Sequence, residues 1–238
     1  MRFRLLSDLH FEFYRAALRA HFITELKLEP GDTCVLAGDI TTCQYLDRLG
    51  ELCAAYPETT FLWVPGNHEY YNGNFTETTA QMQRFAETTH NLVYLAGQRH
   101  GRFIGATLWY PRPEPLGAWN GWSDARKIGD AEQLFAQGKQ DREFLARNVQ
   151  PEDVVVTHML PHRRCIAPEW LHSDTNRYFV HDCSEIMRIA QPAVWCFGHT
   201  HSTLDITHEM TRMVCNPYGY PFESNNFNPH FTVEVPDA

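Results

Sequence analysis

Short apolar segments alternate along the chain with longer amphipathic ones. The short segments are rich in β-branched or aromatic residues and are bounded by glycine, proline or aspartate, which is typical of β-strands. They are Phe3–Leu6, Thr33–Ala37, Thr60–Val64, Arg102–Thr107, Val154–Thr157, Ala193–Phe197, Thr211–Cys215 and Phe231–Val235. The amphipathic segments predict helices over residues 15–28, 43–56, 75–90, 131–148 and 181–190. Strands that first alternate with helices and later follow one another closely predict an α/β sheet protein with a β-rich C-terminal part.

The composition is that of an ordinary globular protein and excludes several classes. The chain has 238 residues, of which 43% are hydrophobic, so it can bury a sizeable core. Its formal net charge of −9 disfavours broad binding of nucleic acid or of an anionic membrane, although a local metal-rich cleft would still bind phosphate. No apolar run approaches the roughly 20 residues of a membrane span. Asp8 interrupts the start of the chain before the apolar stretch of a signal peptide could form.

The seven cysteines predict core thiols. Their number is odd and no pair has the C-x-x-C spacing, so neither a disulfide framework nor a cysteine zinc site is favoured. The expected compartment is therefore the reducing cytosol. We expect a single domain over residues 1–238 without a separate cap domain, because few residues remain once the strands and helices are placed. The oligomeric state stays open.

Two segments without a periodic pattern are candidates for the surroundings of a site. The segment from Tyr110 to Gly129 is rich in proline, glycine and tryptophan and predicts a long functional loop. Its Trp119 and Trp122 would either form a platform for a base or sugar or hold the loop to the core. The segment 216–220 predicts a turn, with lining of a site as the second interpretation.

Side chains that bind metals follow five of the predicted strands. Because the carboxyl ends of strands form sites in open α/β sheets, we expect these side chains to meet. An extended backbone would place positions i and i+2 on one side, so Asp8 with His10, and His199 with His201, would each reach one metal centre. The candidate ligands are Asp8, His10, Asp39, Asn67, His158, His199 and His201, enough for two metals.

The types of ligand restrict the metal. Four imidazoles with two carboxylates favour a transition metal over magnesium or calcium, with manganese first and iron, zinc, cobalt or nickel as alternatives. The carboxylate of Asp39 has two oxygens and is able to bridge both ions. Two divalent ions, two carboxylates and one bridging hydroxide leave about one positive charge, which favours an anionic ester as substrate.

Together these motifs resemble the signature of calcineurin-like metallophosphoesterases. The resemblance extends from residue 8 to residue 201 and is carried by Asp8-Leu9-His10, Gly38-Asp39, Gly66-Asn67-His68-Glu69, His158 and Gly198-His199-Thr200-His201. It implies an α/β fold with a two-sheet β-sandwich core flanked by helices and a dinuclear site at the strand ends. It assigns the first metal to Asp8, His10, Asp39 and His201, and the second to Asp39, Asn67, His158 and His199. It also implies that His68 faces the substrate and protonates the leaving oxygen.

One position departs from the pattern of the family's phosphoprotein phosphatases. Many of them have Gly-Asp-x-x-Asp, in which the second aspartate orients the catalytic histidine, whereas Thr42 occupies that position here. The Arg-Gly that usually follows is replaced by Cys43-Gln44. This argues against a protein phosphatase and leaves the orienting partner of His68 open. The adjacent Glu69 is a candidate outer acceptor for a ligand histidine.

The sequence therefore predicts a cytosolic, metal-dependent phosphoesterase that acts on a small phosphate ester. In-line attack of a metal-bridging hydroxide on phosphorus is the implied mechanism, and a phosphodiesterase is the preferred interpretation. A nuclease of the same family is one alternative, which the net acidity and the lack of a basic stripe oppose. A non-catalytic metal-binding scaffold is the other, and the complete set of ligand types together with His68 opposes it.

Overall fold

The computed structural model describes residues 1–114, 122–128 and 130–235, without the side chain of Ala131. The described strands are β1 Arg2–Leu6, β2 Thr33–Ala37, β3 Thr60–Val64, β4 Leu92–Tyr94, β5 Gln98–His100, β6 Phe103–Ala106, β7 Val154–Thr157, β8 Val194–Cys196, β9 Leu204–His208, β10 Thr211–Cys215 and β11 Thr232–Glu234. The described α-helices are α1 Ala16–Leu26, α2 Leu46–Ala55, α3 Phe75–Thr88, α4 Ser123–Lys127, α5 Ala131–Asn148 and α6 Ser184–Ala190. In this part of the chain, no helix combines the length and the apolar character needed to cross a bilayer.

Two mixed sheets form the centre of the fold. The first has the order β11-β1-β2-β3-β4, in which β1 to β4 are parallel and β11 is antiparallel. The second has the order β5-β6-β7-β8-β10-β9, with antiparallel strands at both edges. Leu5, Val35 and Leu62 of the first sheet share one buried cluster with Val154 and Val214 of the second. The predicted two-sheet core is confirmed.

Helices cover the outer faces of the sheets. Leu36 and Trp63 alternate with the residues between the sheets and lie in a second cluster, which also contains Leu26 of α1, Leu49 of α2 and Met82 of α3. Because the central strands are buried on both faces, they are continuous apolar runs in the sequence. This is why the predicted bounds of β2, β3, β7 and β10 agree with the structure.

Three strands escape the sequence pattern because they are either exposed or very short. β5 is exposed along its whole length and pairs in a short hairpin with β6. β9 alternates half-buried and exposed positions at a sheet edge, and β4 has only three residues. In the predicted loop from Tyr110 to Gly129, the described residues include helix α4, whereas Trp119 lies outside the described residues.

A buried carboxylate on α5 supports the chain that follows β6. The Asp141 Oδ2 atom accepts a hydrogen bond from the backbone N–H of Leu108 at 2.8 Å, and Oδ1 accepts one from Gln137 Nε2 at 2.8 Å. Leu108 has a φ of 62°, in the left-handed region, so this backbone needs external support. Burial raises the pKa of Asp141 to about 6, although these hydrogen bonds oppose the shift.

We expect Asp141→Asn to stabilise the protein at about pH 8 but not at about pH 4. The raised pKa means that stability provided by protonated Asp141 is complete below the ordinary value of 3.8 and is lost as the pH rises through about 6. At high pH the variant should gain roughly 2–3 kcal/mol in the free energy of unfolding. This is measured by urea unfolding of both proteins in one buffer that contains a metal chelator. The control is Asp174→Asn, whose side chain is 99% exposed. An equal difference at both pH values would contradict the assignment.

Candidate metal centre

The predicted ligand residues meet at one edge of the two sheets. They follow the ends of β1, β2, β3, β7 and β8. Their ligand atoms form three groups, each within 4.8 Å, and Asp39 belongs to two of them. The groups are Asp8 with His10 and His201, His10 with Asp39 and His68, and Asp39 with His158 and His199.

The backbone at the ligands is left-handed rather than extended. Asp8, His10, Asp39, His199 and His201 have φ angles between 48° and 67°. The prediction of an extended backbone at these residues is therefore wrong. The prediction that His199 and His201 reach the same metal centre is also wrong. His201 lies with Asp8 and His10, whereas His199 lies with Asp39 and His158. A non-glycine residue in this region costs on the order of 1 kcal/mol or more, so the surrounding fold must hold these conformations.

Two glycines of the motifs allow the ligand segments to pack against each other. A Cβ atom on Gly198 would lie 2.7 Å from the carbonyl oxygen of Ala37 and 2.8 Å from Asp8 Oδ2. A Cβ atom on Gly66 would overlap the carboxylate of Asp39. Larger residues at these positions would separate the strand ends, so the glycines are required by close approach.

In the first group, carboxylates outside the group orient the imidazole rings of His10 and His201. The Nε2 atoms of His10 and His201 are 3.0 Å apart, and His201 Nε2 lies 3.5 Å from Asp8 Oδ1. On the other side of each ring, His10 Nδ1 lies 3.2 Å from Glu12 Oε1 and His201 Nδ1 lies 2.6 Å from Glu223 Oε2. A carboxylate at Nδ1 favours the tautomer that leaves Nε2 free to bind a metal.

The group of Asp39, His158 and His199 is arranged in the same way around His158. Its Nδ1 atom donates to the carbonyl of Ala37 at 2.9 Å, while Nε2 lies 3.4 Å from Asp39 Oδ1 and 3.0 Å from Asn67 Oδ1. The amide nitrogen of Asn67 donates to Asp124 Oδ1 at 3.1 Å and to the hydroxyl of Tyr71 at 2.8 Å. These bonds turn the carbonyl oxygen of Asn67 towards His158.

Two buried polar atoms in these groups lack a partner among the described residues, namely Asp8 Oδ2 and His199 Nε2. Leaving such acceptors unsatisfied in the interior is costly, and a bound cation would satisfy both. Burial would raise the pKa of Asp39, but His158 and His68 hold it well below its ordinary value. Burial lowers the pKa of His199 to about 3, which keeps its lone pair available. The donor set therefore fits divalent transition metal ions.

Glu12 is the partner of His68 that the sequence left open. His68 Nδ1 lies 2.7 Å from Glu12 Oε1, and the Glu12 side chain is only 5% exposed. Glu12 lies in the 3-10 helix Phe11–Phe13 after β1, far from His68 in sequence and outside every motif. On the opposite side of the ring, His68 Nε2 lies 3.0 Å from the hydroxyl of Tyr220. The segment 216–220 therefore contributes to the site, in agreement with its second interpretation.

Glu69 does not accept a hydrogen bond from a ligand histidine, so that prediction is wrong. Its buried carboxylate accepts from the backbone N–H groups of Asp39 at 3.0 Å, Ile40 at 2.8 Å and Gly66 at 2.7 Å. The pKa of Glu69 is raised to about 8, mainly by burial and secondly by the negative charge of the nearby Asp39. Its structural effect is to fasten the segment after β3 to the segment after β2.

Comparison with known proteins places this geometry in a family. The family model for calcineurin-like phosphoesterases matches residues 1–203. An uncharacterised protein of Acanthamoeba polyphaga mimivirus is 26% identical over 274 residues, covering 98% of this chain and 96% of the relative.

Two solved structures share the fold. A phosphopantetheinyl hydrolase from Mycobacterium tuberculosis is 16% identical, with a TM-score of 0.61 and coverage of 91% of this chain and 89% of that chain. A dimetal phosphatase from Danio rerio is 15% identical, with a TM-score of 0.55 and coverage of 90% and 86%. At these identities, the similarity establishes the fold alone.

We expect elemental analysis of manganese-reconstituted protein to find about two metal ions per chain. Asp39→Asn should lower the occupancy of both sites after dialysis, because Asp39 belongs to two of the ligand groups. Asp174→Asn is the matched control, since its exposed side chain lies in an ion pair with Arg177. One ion per chain in the unmodified protein, or two tightly bound ions in Asp39→Asn, would contradict the assignment.

Proposed function

Because this chain belongs to the calcineurin-like phosphoesterase family, we propose that it is a dinuclear metal-dependent phosphoesterase that prefers small phosphodiesters. The observation that carries the proposal is the buried ligand set centred on Asp39, with its two unsatisfied acceptor atoms, several of whose residues line a cavity. The preference for diesters is supported by Thr42 in place of the orienting aspartate of the family's phosphoprotein phosphatases.

The residues divide between two ions as the family resemblance implies. Asp39 shares one group with His10 and another with His158 and His199, and it would bridge the ions. The first ion would be held by Asp8, His10, Asp39 and His201, and the second by Asp39, Asn67, His158 and His199. Manganese is the preferred metal, with iron, zinc, cobalt or nickel as alternatives. Bound metals supply a Lewis acid for the phosphoryl oxygens and lower the pKa of a coordinated water.

His68 would provide the proton that the leaving oxygen needs. Burial lowers the pKa of His68, but Asp39 and Glu12 outweigh it, so the net shift is upward and favours the protonated ring. With Nδ1 held by Glu12, the Nε2–H group faces the cavity beside the hydroxyl of Tyr220. A proton donor at this position would protonate an alkoxide leaving group. Glu12 acts through His68 and is therefore a positioning residue.

We propose a cytosolic location. The seven cysteines are all buried and free, which suits a reducing compartment. The nuclease alternative has less support, because a net charge of −9 offers little attraction for a long polyanion.

The proposed function predicts a ranking of substrates. With Mn²⁺, kcat/KM on bis-p-nitrophenyl phosphate should exceed kcat/KM on a phosphoserine peptide. Asp39→Asn, prepared identically, should be inactive on both and controls for a contaminating enzyme. A higher kcat/KM on the phosphopeptide would overturn the diester preference. If neither ester is hydrolysed, the assignment as a phosphoesterase is overturned.

We expect His68→Ala to lose about 10²–10⁴-fold in kcat on a diester with an alkyl leaving group, and much less on a nitrophenyl ester, with metal content unchanged. A nitrophenolate leaves without a proton, whereas an alkoxide does not. Glu12→Gln should show the same leaving-group dependence more weakly. The double variant should lose no more rate than His68→Ala alone, because Glu12 acts through His68.

Additive losses in the double variant would show that Glu12 acts independently of His68. Loss of metal from His68→Ala would make that residue a ligand. Elemental analysis of each variant separates these outcomes, since Glu12 also contacts His10 at 3.2 Å.

A further inference from the structure

The cavity beside the metal centre is larger than a phosphate group requires. Its volume is about 770 Å³, within the range of sites for drug-sized ligands. Asn67, His68 and His199 line it together with residues outside the ligand groups, among them Trp122 and Trp170. Most of this volume is therefore available to the organic part of an ester.

The rings of Trp122 and Phe179 contact each other and both line this cavity, and together they form an aromatic wall. Trp122 is stacked on Tyr178 with a centroid distance of 4.9 Å and an interplanar angle of 22°, and it meets Phe179 edge to face at 5.6 Å. Phe179 lies 4.2 Å from the His199 ring. Both residues of the wall are half-buried, so each ring keeps a surface that a ligand can cover.

A hydrogen bond to a buried carboxylate fixes the Trp122 ring of the aromatic wall. Trp122 Nε1 donates to Asp124 Oδ2 at 3.1 Å, and the same carboxyl group accepts from the hydroxyl of Tyr110 at 2.7 Å and orients Asn67. A rigid ring loses little conformational entropy on binding, which favours stacking of a flat ligand group. The buried carboxylate of Asp124 thus positions both Trp122 and a candidate metal ligand.

The side chains that line the described part of the cavity are poorly suited to a second phosphate. Among the described residues that line it there is no lysine or arginine, whereas Glu169 and Glu223 are present. Lys127 lies over the Tyr71 ring at 4.2 Å and is not among the lining residues. The sequence of residues 115–121 also contains no charged residue. A second phosphate would therefore enter without the basic partners that such groups normally bind.

We infer that the substrate is a phosphate ester with a single phosphate and an uncharged, flat aromatic group that stacks on Trp122 and Phe179. The inference rests on the proposed function and names the substrate class of the same site. It excludes nucleoside polyphosphates and nucleic acid strands as preferred substrates, because each brings further phosphates into a cavity with acidic side chains.

The first test compares two diesters that carry the same charge and the same leaving group. Bis-p-nitrophenyl phosphate has a second aromatic ring, whereas methyl p-nitrophenyl phosphate has a methyl group in its place. We expect the ratio of their kcat/KM values to fall about tenfold in Trp122→Ala and in Trp122→Leu, as expected for loss of one stacking surface. Tyr45→Ala removes an aromatic residue that is 40% exposed outside the cavity and should leave the ratio unchanged.

A binding measurement gives the same comparison without turnover. Calorimetry on manganese-loaded protein should find tighter binding of phenylphosphonate than of methylphosphonate, and Trp122→Leu should reduce this preference. If the unmodified protein hydrolyses none of the esters, the proposed function fails and calorimetry still decides the inference. If it hydrolyses them with ratios that do not depend on Trp122, or binds both phosphonates equally, only the inference fails.

The second test concerns charge. Thymidine 5′-(p-nitrophenyl phosphate) should be hydrolysed with a higher kcat/KM than the same compound with an added 3′-phosphate. Glu169→Arg, which places a cation among the residues that line the cavity, should reduce this difference. Preference of the unmodified protein for the doubly phosphorylated compound would overturn the inference and favour the nuclease.

Discussion

The buried carboxylate of Asp39 is the constraint on which the rest of the site depends. A charge in the interior is tolerated only where hydrogen bonds and opposite charges surround it. Asp39 Oδ1 accepts the backbone N–H of His68 at 2.8 Å, and His158 Nε2 lies 3.4 Å from the same atom. Asp39 Oδ2 lies 3.9 Å from His10 Nε2. The ends of β1, β2, β3 and β7 must therefore stay within reach of one side chain.

Much of this arrangement is visible in the sequence, because the central strands are buried on both faces. Their apolar runs stand out, and the polar residue that ends each run is then conspicuous, as with Asp39 after β2. The edge strand β9 has no such contrast, since its positions alternate between half-buried and exposed.

The remaining features depend on contacts that local spacing does not encode. Glu12 reaches His68 across 56 positions, and no motif marks it. The left-handed backbone at His199 and His201 separates two neighbours that an extended chain would have kept on one side. Glu69 lies next to His68 in sequence, yet its carboxylate binds backbone N–H groups on another segment. In each case the tertiary structure determines which group a side chain meets.

The contact between His10 and His201 joins positions that are 191 residues apart. Closing so long a loop carries a large entropic cost, which local structure formed early in folding does not offset. His10 follows β1 of the first sheet and His201 follows β8 of the second, so this ligand group needs both sheets in place. A metal ion at this group would therefore depend on a folded framework, in contrast to small domains whose folding is driven by the ion.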